Sequence, residues 1–214
     1  MILWTKLCLI LLLATAGGCA ALGVAASMIP PPPVKAVYRL ENKQVGVMVW
    51  ADRGLRIDWP GMQRDLAGGV QSRIQQAADA GNAAVKGVTF PVSVESLIRF
   101  QRDNPGLEAL PITEVAPQLG VPVLIYIEIK SFSTRAFRTP SMFRGNALAS
   151  LRVIEVTDGK AKTVFQEEDI GVIWPEGSTE DGSPRGSDAQ YYVSTLTALA
   201  DELASRFVDR PGER

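Results

Sequence analysis

The chain has 214 residues with 22 Lys+Arg against 23 Asp+Glu, a formal net charge of −1, which gives no bulk electrostatic case for nucleic acid. It is 46% hydrophobic and 21% charged, the make-up of a globular fold with a real core. It has no His, which removes the commonest general base, the commonest metal ligand and every Ser-His or Cys-His nucleophile pair.

The chain begins with an export-type leader. Lys6 is the only charge in Met1–Cys19, Leu7–Ala16 is apolar, and Ala16-Gly17-Gly18 are small residues directly before Cys19. This order resembles the bacterial lipoprotein signal, in which the Cys becomes the acylated first residue, although Ala16 stands where Leu is usual. The competing reading is an uncleaved transmembrane anchor. Apolar character runs from Leu7 to Ile29, long enough to span, but Gly17, Gly18 and Gly23 weaken a helix there. The two cysteines, Cys8 and Cys19, both lie in the leader, so the remainder forms no internal disulfide.

Pro30–Pro33 reads as an extended polyproline spacer. Gln44–Trp50 alternates two apolar faces and predicts a strand buried on both, with Ala51–Gly54 as its exit and Ile57–Pro60 as a loop. A helix is expected over Gly61–Ala80, with Gly68-Gly69 explained by close packing against a sheet. Thr89–Val92 reads as a short extended piece. Ser93 caps a helix to about Asp103, and Thr113 a brief one across Glu114–Leu119 closed by Gly120. Val121–Phe132 is the clearest strand: Val123, Ile125, Ile127 and Ile129 line one face, while the other turns polar at Glu128 and Lys130.

Ser133–Asn146 reads as a basic loop, with Arg135, Arg138 and Arg144 interleaved among Phe132, Phe137 and Phe143. Arg and aromatic side chains are enriched in interface hot spots, so Arg135, Phe137, Arg138, Phe143 and Arg144 are the candidate partner-binding residues. The simpler alternative is a solvated loop whose rings fold back on the core. Leu148–Val156 and Lys162–Asp169 flank Thr157-Asp158-Gly159-Lys160, a hairpin signal, with strand character extending towards Trp174. Pro175–Ser187 reads as a mobile loop, and Ala189–Val208 as a last helix with Val193, Leu196, Leu199, Ala200, Leu203 and Phe207 on one stripe.

Other groupings carry less. Glu167, Glu168, Asp169, Glu176, Glu180 and Asp181 lack calcium-loop spacing and read as acidic surface. Trp50, Trp59 and Trp174 fit either a ligand platform or the edge of a core. No catalytic residues, metal ligands or cofactor motif emerge. The fold expected is α/β (α+β), one two- or three-layer domain with a mostly four-stranded mixed sheet packed by amphipathic helices. Its parts are a signal peptide (1–18), an acylated Cys19 with a Pro-rich tether (19–42), the α/β domain (43–208) and a polar tail (209–214).

The run from Val45-Gly-Val-Met-Val49, through Ala116–Ile127, to Val153–Lys160 and the last helix resembles one group of α/β domains. These are the curli-secretion lipoprotein, the penicillin-binding-protein activator lipoproteins and the N-terminal domain of TolB-like periplasmic proteins. Val121-Pro122 stands where those families carry Ala-Asp, and Glu155–Gly159 approximates their hairpin motif. The resemblance implies a non-enzymatic module in the cell envelope, held on a membrane by its lipid, with the periplasmic face of the outer membrane favoured. It would bind another protein or assemble with its own copies. The alternatives are an oligomerising secretion or channel-accessory subunit, or a carboxylate-dependent hydrolase needing two facing acids.

Overall fold

The computed structural model describes residues 32–212. Lys35–Asp209 forms one compact unit; Val34 and Arg210, which pair backbone to backbone, belong to a second. The expected leader, Cys19 and the first two residues of the proline spacer lie outside the described residues.

The larger unit is built on a four-stranded mixed sheet. Its strands are β1 (Val45–Ala51), β2 (Val123–Arg135), β3 (Phe143–Thr157) and β4 (Lys160–Trp174), in that spatial order. β1 and β2 are parallel, so the chain between them crosses over a sheet face as helices. These are α1 (Arg53–Asp58), α2 (Met62–Asp79), α3 (Val94–Asp103) and α4 (Ile112–Val115), with 3-10 turns at Pro105–Ala109 and Ala116–Leu119. β2, β3 and β4 run as an antiparallel meander, and α5 (Asp188–Ala204) returns across the sheet.

The strand periodicity decides which face packs where. Val47 and Val49 sit opposite Ile125 and Ile127, which sit opposite Val153 and Leu151, giving one apolar face under α2 and α5. On the other face Met48, Leu124 and Ile154 are covered by Leu97 of α3 and by Ala116, Leu119 and Val121. That cover is partial. Beyond it Glu128, Lys130, Arg152 and Glu168 form an ion-paired, solvated surface. The sheet is thus three-layered at one end and two-layered at the other.

Local chemistry accounts for several element ends. Ser93 accepts from the Ser96 N–H as N-cap of α3, and Gly120 closes its helical segment at φ 69°. Asp158 and Gly159 both take positive φ, the geometry a two-residue hairpin turn requires.

Several expectations are corrected. Arg53–Asp58 is a short helix, because Asp52 caps the Leu55 N–H at 2.9 Å. Only Thr89 of the predicted extended piece pairs, with Gln44. Pro111, not Thr113, precedes the short helix. Gly69 faces α5 rather than the sheet: a Cβ there would lie 3.1 Å from the Ala200 Cβ, while Gly68 is open. Half of Ser133–Asn146 is strand, the ends of β2 and β3, and the other half is the turn between them.

Both sheet edges are guarded. Val49 O on β1 accepts amide hydrogens from Gln63 of α2 (2.7 Å) and Gln101 of α3 (3.1 Å). β4 carries two bulges, one residue extra between the partners of Val153 and Ile154 and one between those of Ala149 and Leu151, with Asp169 at positive φ in the second. Bulges and covered backbone are how edge strands avoid pairing with other chains.

Candidate functional site

The basic aromatic segment folds as the tip of the β2–β3 hairpin and is held from three sides. Ala136 N–H donates to Met142 O (3.0 Å) and Met142 N–H to Thr139 O (2.8 Å), which closes the turn. The segment expected to be mobile lies against it: Phe143 and Ser183 exchange both backbone hydrogen bonds, at 2.8 and 2.9 Å. Gly182, at φ 76°, makes this approach possible, since a Cβ there would sit 2.7 Å from Phe143 O. The third support is the start of α5, where Ser187 caps the Gln190 N–H.

Arg135 binds Asp188 through two parallel hydrogen bonds, Nε–Oδ1 at 2.8 Å and Nη2–Oδ2 at 2.5 Å. Its guanidinium also lies 3.9 Å from the centre of the Phe143 ring. Phe143 stacks on Tyr191 at 5.3 Å, and Trp174 meets Tyr191 edge-on at 4.8 Å. Hydrogen bonds from Arg135 and Thr134 hold the Asp188 carboxyl below its ordinary pKa, and its place in the first turn of α5 suits the helix dipole. Arg138 reaches Glu180 at 3.0 Å. Arg144 is half-buried, with its Nε unpartnered among the described residues.

Phe137 is different. It is 95% exposed, at the apex of the hairpin. Of the five candidates, the structure joins Arg135 with Phe143, ties Arg138 to the Pro175–Ser187 segment and leaves Phe137 projecting into solvent. Phe132 belongs to the core, in edge contact with Trp59 and Tyr192. The basic character is cancelled locally, because Arg135, Arg138, Arg144 and Arg185 are matched in number by Glu176, Glu180, Asp181 and Asp188.

The tip has a fixed relation to the chain's entry into this unit. Ala36 N–H donates to the Asp209 carboxylate at 2.9 Å and Val37 N–H to Arg206 O at 2.8 Å, both at the C-terminal end of α5. The tip lies at its N-terminal end. A 17-residue helix separates the two by about 25 Å.

The other groupings disperse. Trp50 lines a cleft on the second face, Trp59 stacks on Tyr192 at 5.3 Å, and Trp174 belongs to the tip. The acidic residues are drawn to separate cations: Glu167 to Arg206, Glu168 and Asp169 to Lys130, Glu180 to Arg138. Tyr38, Lys43 and Glu155 form a cluster that pins the entering chain to β3. The Tyr38 hydroxyl donates to Glu155, and Lys43 donates to Tyr38 (2.5 Å) and Glu155 (2.6 Å).

The cleft was not foreseen in the sequence. Met48, Trp50, Phe100, Leu110, Ile112 and Tyr126 line a small, largely apolar hollow of about 50 Å³ between α3, α4 and the sheet. The available signal was the density of apolar residues on both sides of Pro105-Gly106, more than a short helix buries alone.

These ion pairs set an acid limit on stability. Arg206 holds Glu167, Lys43 and Tyr38 hold Glu155, and Arg135 and Thr134 hold Asp188, all below ordinary carboxylate values. The unfolded chain therefore takes up protons first as pH falls. The stabilisation is complete above the unfolded carboxylate range, about 4, and is lost as pH drops through the lowered native values. Urea midpoints are expected to be level above about pH 5 and to fall below it. Glu167→Gln should make the acid limb shallower.

No family model matches the chain, and no curated protein matches it. Among solved structures it is distantly similar to the PelC dodecamer from Paraburkholderia phytofirmans, with 9% identity, a TM-score of 0.41 and coverage of 81% of this chain and 95% of that one. The lipoprotein GNA1162 from Neisseria meningitidis matches at 12% identity and a TM-score of 0.38, over 75% of this chain and 94% of that one. The hypothetical protein CT253 from Chlamydia trachomatis matches at 13% and 0.37, over 75% and 98%. These are distant likenesses of structure, and nothing about function is drawn from them.

Proposed function

We propose that this chain is a membrane-tethered lipoprotein of the bacterial cell envelope whose α/β domain works as a protein-binding or assembly module and not as an enzyme. Cys19, following a short apolar run and two glycines, is the proposed acylation site. The proline spacer suits a domain that stands off from a fixed point. No helix of the described residues is long and apolar enough to cross a membrane; the rival anchor, Leu7–Ile29, lies outside them.

The observation that carries the binding role is Phe137, 95% exposed on a hairpin locked by Arg135–Asp188 and by the Ser183 pairing. A large exposed ring on a locked backbone gives up little backbone freedom on docking, the property of a hot-spot residue. In this reading Arg135, Arg138, Phe143 and Arg144 fix and flank the ring. The non-enzymatic reading is supported by the cluster of Lys43, Tyr38 and Glu155. Burial presses the Lys43 pKa down, but hydrogen bonds from Lys43 to Glu155 and Tyr38 outweigh it and hold Lys43 above its ordinary value, as a cation rather than a nucleophile.

Affinity capture from envelope extracts tests this, counting any captured protein, a differently tagged second copy included. Phe137→Ser should reduce capture at least about tenfold, a hot-spot-sized loss, with the urea midpoint unchanged. Equal capture by both proteins contradicts the reading.

A further inference from the structure

With both sheet edges guarded, contacts between copies by strand addition are disfavoured, and two other features stand out. One is the Phe137 knob. Among the described residues it is the sole aromatic among the strongly exposed large apolar side chains. The other is the apolar cleft, with Leu110 42% exposed at its mouth. Two polar side chains of the cleft wall are engaged inside the chain: Gln101 donates to Val49 O, and the Asn104 side chain donates to Phe100 O at 2.9 Å. What the cleft offers a guest is mainly apolar surface.

Charge selects the guest. Glu128 lies at the cleft's edge, opposite Trp50 in the β1–β2 register and two residues beyond Tyr126 on the same sheet face. Its cation neighbour is Arg152 at 3.9 Å, a guanidinium that Glu168 shares at 3.8 Å. Beside the knob, Arg138 is paired, among the described residues, with Glu180, and both side chains are largely exposed, so that pair is easily exchanged. An aromatic ring next to a cation thus faces an aromatic-lined cleft next to a carboxylate.

We infer that the Phe137 ring of one copy seats in the apolar cleft of a second copy, with Arg138 reaching Glu128 at its edge. This rests on the reading of the domain as a binding module. A chain cannot fill its own cleft, because nine residues of extended β2 and turn place Phe137 roughly 30 Å from Glu128. Knob and cleft are different surfaces, so two copies either close reciprocally, each knob in the other's cleft, or repeat head-to-tail into a ring or a filament.

The test places a photo-cross-linking phenylalanine analogue at position 137 of the full chain, membrane-bound in cells, beside a second copy with a distinct tag. The expected product joins the two copies, with the label in a peptide containing Trp50, Phe100, Leu110 or Ile112. Leu110→Glu in the receiving copy should reduce it about 30-fold, the loss of a hot-spot contact. Arg138→Glu in the donor should weaken it, and Glu128→Arg in the receiver should restore it; the urea midpoint of each variant serves as the folding control. Cross-linking only to a different protein overturns this inference and leaves the binding-module reading standing. Cross-linking only to lipid, or to nothing, overturns both.

Discussion

Phe207→Ala should destabilise the domain by about 3–5 kcal/mol, seen as a lower urea midpoint at nearly constant slope. Phe207 is fully buried and the largest of the fully buried side chains. It follows α5 in a turn whose other groups gather the chain ends. Arg206 O accepts from Val37 N–H at 2.8 Å, and the Asn82 side chain donates to Asp209 O at 2.7 Å. Arg206 itself is clamped between Glu167 (2.8 Å) and Glu202 (2.7 Å). Removing the ring takes away burial and leaves a cavity beneath a segment that is otherwise hydrogen-bonded in place, so little collapse can refill it. Val193→Ala on α5, 60% exposed, is the control and should shift stability by no more than about 0.5 kcal/mol. Equal effects would mean that the last turn is not part of the core.

Gly145→Ala should cost about 1–3 kcal/mol, and Thr195→Ala should recover most of it. Gly145 lies on β3 opposite Trp174, where α5 passes so close that a Cβ would fall 1.8 Å from the Thr195 Oγ1. Thr195 is fully buried and its hydroxyl has no hydrogen-bond partner among the described residues, so packing alone holds its rotamer. The added methyl must turn that hydroxyl into the packed wall around it or push α5 off the sheet. Thr195→Ala alone should be neutral or stabilising, because it removes a buried unsatisfied group. A double variant as unstable as Gly145→Ala would show that the Trp174 carbonyl, 3.3 Å away, is the true obstacle.

The parts legible in the sequence were those that obey a single period or a short local rule. Val123, Ile125, Ile127 and Ile129 alternate because one face of β2 is all core, and Asp158-Gly159 turns because both residues tolerate positive φ. The apolar period locates the last helix but misassigns part of its buried stripe. Tyr191 and Thr195 occupy core positions that look polar on paper, and Val193 faces solvent. Gly69 showed a need for close approach without showing to what. At the candidate site the residue types were visible and their arrangement was not. Arg135 stacking on Phe143 while binding Asp188 joins residues more than 50 apart in the chain, which no local pattern encodes. The cleft depends on α3 and α4 stopping short of the open half of the sheet, again a tertiary outcome. Cys19 is the reverse case, plain in the sequence and outside the described residues.

Acyl labelling decides the central claim, that Cys19 ties this domain to a membrane. Cells expressing the wild-type chain or Cys19→Ser are fed a palmitate analogue and then fractionated. The account predicts label on the wild-type protein in the membrane fraction, and none on Cys19→Ser, which should appear as soluble protein or as unprocessed precursor. An unlabelled wild type, or a Cys19→Ser chain that is still processed and membrane-bound, would contradict it.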